Sequence, residues 1–149
     1  GFLLSLGGIL GTMNFDSKYK KKRLKGTAKF DYSNNNGIYE IGKSELLFVT
    51  KWSKASNESI HLYNDPAIIS GIAIADNVNQ IKDIKDASEF DFSSGNRTVR
   101  KHGIAILKNT YGNYAVIKIL EIKDNTRGDN HDELFYEYVI NPKNKSDFT

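Results

Sequence analysis

Apolar and polar residues alternate with a period of two through most of this chain. "TAKFDY" (27–32) puts Ala28, Phe30 and Tyr32 on one face and Thr27, Lys29 and Asp31 on the other, the pattern of a half-buried strand. "NNNG" follows. Its Asn36-Gly37 pair is a strong hairpin signal, because both residues tolerate positive φ. "IYEI" returns as a strand, Gly42-Lys43 turns again, and "ELLFVTKW" sets Leu46, Phe48, Thr50 and Trp52 on one face. "SIHLY" divides Ile60 and Leu62 from His61 and Tyr63, and "GIAIA" reads as a short buried strand.

"NVNQIKDIKDASEF" breaks the alternation. Val78, Ile81, Ile84 and Ala87 recur every three residues, which predicts one short helix near residues 78–88. The last third is the most regular. "GIAILKN" and "NYAVIKILEI" flank a tight turn. The second strand is apolar on both faces, with Ala115, Ile117 and Ile119 on one and Tyr114, Val116, Leu120 and Ile122 on the other. That is the pattern of a central strand covered from both sides. "ELFYEYVI" completes a three-stranded meander of SH3-like type, with Leu134, Tyr136, Tyr138 and Ile140 facing one way. With the earlier strands the count is eight or nine. The predicted fold is mainly β, a sandwich or a partly open SH3-like barrel.

Length and composition add limits. At 149 residues the chain suits one domain with a full core, assigned to residues 26–149 after a leader and basic arm at 1–25. No cysteine occurs, which excludes disulfides and thiolate metal sites and suits a cytoplasmic home. The net charge of +3 is uneven: "KYKKKRLK" (18–25) holds six basic residues, and without it 15 basic side chains face 18 acidic ones. A uniformly basic nucleic-acid binder is not built that way. "DSKYKKKRL" (16–24) reads as a short capped helix or an exposed arm. The apolar "GFLLSLGGILGT" (1–12) is too short to span a bilayer, and its charges follow it rather than precede it, unlike a secretory signal. Two readings stand. Met13 is the natural start and residues 1–12 are vector-derived, or the stretch is native, as a strand or the cut end of a membrane anchor.

Catalytic constellations are scarce. His61, His102 and His131 are far apart without ligand spacing, and no metal or cofactor is expected. "GIYEIGKS" (37–44) matches a phosphate loop as a string, but such a loop must open a helix and here it sits between strands. "RGD" (127–129) is a good turn sequence. The aromatic residues suggest binding instead. Tyr39, Trp52, His61 and Tyr63 lie on three successive strands and form one candidate patch if those strands pair in order.

The phrases "FDYSNNNGIYEIG", "TKWSKASNESIHLYND", "GIAIA" and "IKILEIKDNTRGDNHDELFYEYVI", in this order, resemble a β-rich module in the C-terminal part of some bacterial Toll/interleukin-1-receptor (TIR) domain proteins. The resemblance covers roughly residues 28–141. No TIR signature is present, so it implies the accessory module rather than the enzyme, with sensing or target recognition attached to bacterial defence signalling. It transfers no functional residue.

The resulting expectation is a non-catalytic recognition module for a small ligand or a protein partner, with a homodimer as a further option. A first alternative is nucleic-acid binding through Lys20, Lys21, Lys22 and Arg23 together with Arg97, Arg100 and Lys101. It requires both clusters on one face. A second is a small hydrolase, which requires His61 or His102 beside a carboxylate in a cleft. A carbohydrate module requires an exposed Trp52.

Overall fold

Nine strands form in the computed structural model, which describes residues 22–149. They are β1 (Leu24–Phe30), β2 (Ile38–Ile41), β3 (Phe48–Lys54), β4 (Ser59–Tyr63), β5 (Ile69–Ile74), β6 (Asn96–Arg100), β7 (Ile104–Asn109), β8 (Tyr114–Lys123) and β9 (Glu133–Asn141). Two antiparallel sheets result, ordered β1-β9-β8-β7-β5 and β2-β3-β4-β6. Among the described residues the architecture is an open sandwich with no closed barrel. The predicted meander β7-β8-β9 is the centre of the five-stranded sheet.

One core lies between the sheets. Phe48, Trp52, Ile60 and Leu62 meet Leu107, Ile117, Leu134 and Tyr136 there. A second lies on the far face of the five-stranded sheet, where Ala73, Ile104, Ile106 and Val116 pack under Ile81, Ile84, Ala87 and Phe148. Two buried faces explain why β8 is apolar on both sides. A bulge between Ile119 and Glu121 shifts the parity, so Ile122 joins Ile119 in the inter-sheet core rather than the opposite face.

Two expectations are corrected. The helix predicted near 78–88 is a pair of single 3-10 turns, Ile81–Asp83 and Ala87–Glu89, separated by extended residues. Its apolar spacing is strictly three, and side chains eclipse at that interval in a 3-10 turn, whereas an α-helix drifts away from it. The C-terminal tail holds the segment down: Ala87 N–H donates to the Ser146 carbonyl and Phe148 N–H to that of Ile84. The Asn36-Gly37 turn, in turn, does not close a hairpin. β1 pairs with β9 and β2 with β3, so residues 31–37 form a corner between the sheets. The turn chemistry itself was read correctly, since Asn35, Asn36 and Gly37 all have positive φ. Gly37 is required there because a Cβ would overlap the Trp52 carbonyl.

Leu24 of the predicted 16–24 arm belongs to β1, while the rest of the leader and basic arm up to residue 21 lies outside the described residues. Among the described residues no helix is long and apolar enough to cross a membrane.

Candidate functional site

Sheet register decides which side chains can act together. Tyr39 pairs with Thr50 and Trp52 with Leu62, while Ser53 pairs with His61. Because neighbours on a strand point to opposite faces, Tyr39 and Trp52 turn into the sandwich and His61 and Tyr63 turn out. The predicted four-residue patch is therefore split across the sheet. Trp52 is 1% exposed, which removes it as an open stacking platform and with it the carbohydrate module built on that ring. Tyr39 stacks on Phe30 with ring centroids 4.6 Å apart.

The inward pair belongs to a saturated polar network. Thr50 Oγ1 donates to the Tyr39 carbonyl at 2.7 Å and accepts from Trp52 Nε1 at 2.8 Å and from Tyr136 Oη at 3.1 Å. A hydroxyl has one donor and two acceptor sites, so none of its hydrogen-bonding capacity is left unused.

The outward pair faces solvent. No second layer of the described residues covers this side of the four-stranded sheet, and neither core includes its outward residues. Its central rungs are polar. Tyr63 Oη and Ser53 Oγ are 2.7 Å apart, His61 Nδ1 lies 3.0 Å from Thr98 Oγ1, and Lys51 Nζ donates to Asp65 at 2.8 Å. Beside them the 31–37 corner and β3 border an open cleft of about 490 Å³. Lys51, Ser53 and Tyr63 of the outward face line it together with Ser33, Asn36 and Asp65.

One end of the cleft is a charged centre that sequence reasoning missed. Asp124 and Asp132 are buried in the long loop between β8 and β9. Lys54 Nζ reaches Asp124 at 3.2 Å, Asp132 at 3.1 Å and Asn125 Oδ1 at 2.6 Å. Tyr32 Oη donates to the Lys123 carbonyl at 2.6 Å and also lies 3.4 Å from Asp132. Burial pushes the Tyr32 hydroxyl well above its ordinary range, and the charges of Asp132 and Asp124 add to that. For Asp124, burial acts to raise the carboxyl, but hydrogen bonds from Thr126, Arg127 and Lys54 outweigh it and hold the group well below the usual carboxylate range. For Lys54, desolvation is likewise outweighed, here by Asp132 and Asp124, which raise the ammonium. A lysine held protonated in this way is an anchor, not a nucleophile. Arg127 and Asp129 of the "RGD" turn are engaged internally: Arg127 bonds Asp124 at 2.7 Å, and Asp129 accepts the Asp124 N–H at 2.8 Å. "Asp-x-Thr" at 124–126 was a visible turn signal, but nothing in it announced that the carboxylate would be buried.

Among the described residues the alternative sites do not assemble. Lys22 and Arg23 lead into β1, whereas Arg97 and Arg100 lie on β6. The strands β1 and β2 meet along one open side of the sandwich, and β5 and β6 along the other. Arg97 pairs with Asp91 and Lys101 with Glu121, and Arg100 is exposed. The described members of the two basic clusters thus sit on opposite edges, and Lys20 and Lys21 lie outside the described residues. No carboxylate bonds to His61 or His102 among the described residues: His61 is held by Thr98, and His102 is exposed in the β6–β7 turn. His131 does approach Glu133 at 3.5 Å, but on the surface. "GIYEIGKS" is strand β2 followed by one 3-10 turn, Ser44–Leu46, and offers no helix terminus to a phosphate. Among the described residues no group of three histidine or acidic side chains is placed to hold a metal ion. Set against family models, curated proteins and solved structures, the chain matches none.

Proposed function

We propose that this chain is a non-catalytic recognition module that binds a small ligand on the solvated face of its four-stranded sheet. The observation that carries the reading is the cleft between the 31–37 corner and β3–β4, lined by Tyr63, Lys51 and Ser53 among others. Its volume falls in the range of small-molecule sites, roughly 300–1,000 Å³. Its side chains offer contact surface and hydrogen bonds. Service in bacterial defence signalling in the cytoplasm is supported by the sequence resemblance of residues 28–141 and by the absence of cysteine alone.

Amide chemical-shift mapping tests this reading. The protein is titrated with a panel of amino acids, sugars, nucleosides and nucleotides. The expected result is a set of shifts centred on residues 51–54 and 63–65 that disappears in Tyr63→Ala. Shifts confined to the five-stranded sheet would refute the site.

A further inference from the structure

Charge inside the cleft narrows the ligand class. Its two cations are Lys51 and Lys54, and both already have carboxylate partners. Lys54 is held by Asp124 and Asp132, and Asp124 in turn by Arg127. Lys51 is held by Asp65 at 2.8 Å. These groups sum to zero, so no unmatched positive charge awaits a phosphate or carboxylate. An anion entering here would have to displace Asp65 and lie against Asp132.

The same pair suits a different guest. Lys51 donates only and Asp65 accepts only, whereas each hydroxyl of a diol does both. Two neighbouring hydroxyls can therefore accept from Lys51 and donate to Asp65 without disturbing neutrality. The pair is placed for this. The Asp65 side chain is 59% exposed and that of Lys51 25% exposed, so both can reach a guest. Lys51 Nζ lies over the Tyr63 ring, 5.9 Å from its centroid, which sets the charged pair against one face of the aromatic ring and leaves the other for a guest. The Tyr63 hydroxyl is tied to Ser53, which fixes that surface in orientation. Ser33 and Asn36 line the same cleft; the Ser33 hydroxyl donates to Asp31 and keeps acceptor capacity for a guest.

Resting on the reading above, we infer that the cleft takes an uncharged, hydroxyl-bearing ring compound. A ring face packs on the side of Tyr63 that Lys51 leaves open, and vicinal hydroxyls bridge Lys51 and Asp65. A nucleoside ribose and a neutral saccharide carry this same chemistry.

Calorimetric titration of the full chain separates the possibilities. The probes are adenosine, uridine, glucose and maltose, with adenosine and uridine monophosphates and inorganic phosphate as charged counterparts, at low and high salt. A neutral probe should bind with little salt dependence and more tightly than any phosphate. Asp65→Asn, which alters an exposed side chain, should weaken it about tenfold, the loss of one charge-assisted hydrogen bond, and Tyr63→Ala by at least as much. Trp52 fluorescence checks that both variants fold. Binding by nucleosides alone or by sugars alone assigns the source of the ring. Tighter binding of the phosphates with steep salt dependence would overturn the inference but leave the cleft as the binding site. Binding unchanged in both variants, or no binding by any probe at millimolar concentration, would overturn the inference and the site together.

Discussion

Thr50 shows how one side chain can organise a core. Its hydroxyl joins Tyr39 on β2, Trp52 on its own strand and Tyr136 on the opposite sheet. Removing it strands the Trp52 and Tyr136 donors in the buried interior, where each unpaired group costs roughly 1–3 kcal/mol, and frees the part-buried Tyr39 carbonyl. Thr50→Val is nearly isosteric and should destabilise the fold by about 3 kcal/mol or more, while Thr50→Ser keeps the bonds and should lose far less. Urea titration followed by Trp52 emission measures both, since Trp52 is the only tryptophan in the chain. Equal midpoints for the two variants would show that the network carries no weight. The alternation in "ELLFVTKW" placed Thr50 and Trp52 on one face. It did not say that this face was the inside, because Thr, Trp and Tyr are equally at home on a half-buried sheet.

Turns and loops show local chemistry and tertiary context most clearly apart. Five Asp-x-Ser/Thr triplets, beginning at Asp31, Asp86, Asp91, Asp124 and Asp147, each fold the carboxylate onto the N–H and hydroxyl two residues on. All five carboxyls are held below their ordinary value, with the side-chain bond to the Ser or Thr as the first cause in the four exposed or half-buried triplets. Asp124 differs because it is buried, and the Thr126, Arg127 and Lys54 bonds must first overcome desolvation. Its sign of linkage follows. The unfolded chain takes up the Asp124 proton near the ordinary carboxyl value, about 3.9, and the folded protein only at lower pH. The contribution is complete above that value and is lost as pH falls toward the folded one. Lys54 acts at the other extreme: being raised, its share is full below the ordinary lysine value and is lost as pH rises through the folded one. Melting temperature measured between neutral pH and pH about 2 should therefore fall steeply in the parent. In Asp124→Asn it should start lower and fall less. Parallel acid limbs would assign the acid sensitivity to other carboxyls.

At the scale of the whole molecule the chain closes on itself. β1 pairs with β9 along its full length, from Leu24 against Ile140 to Phe30 against Leu134. The five-stranded sheet is thus complete only when both ends of the described chain have met. Pairings this distant in sequence are slow to form, because loop-closure entropy is lost before the contacts exist. Refolding followed by Trp52 emission is expected on the millisecond-to-second scale typical of β-sandwiches. Recovery of the full signal within microseconds would contradict this.

What the sequence determined by itself was local. Period two in "TAKFDY", "SIHLY" and "ELFYEYVI" reflects strand geometry, double-sided apolarity in β8 reflects burial on both faces, and positive φ at Asn36-Gly37 reflects residue chemistry. Each of these is decided within a few residues. Tertiary structure alone decided which strands pair, and therefore that Asn36-Gly37 turns a corner between sheets, that Tyr39 and Trp52 face inward while His61 and Tyr63 face outward, and that Lys54 meets Asp124 and Asp132. Those outcomes depend on register between distant segments, and a shift of one residue moves a side chain from the core to the solvent face.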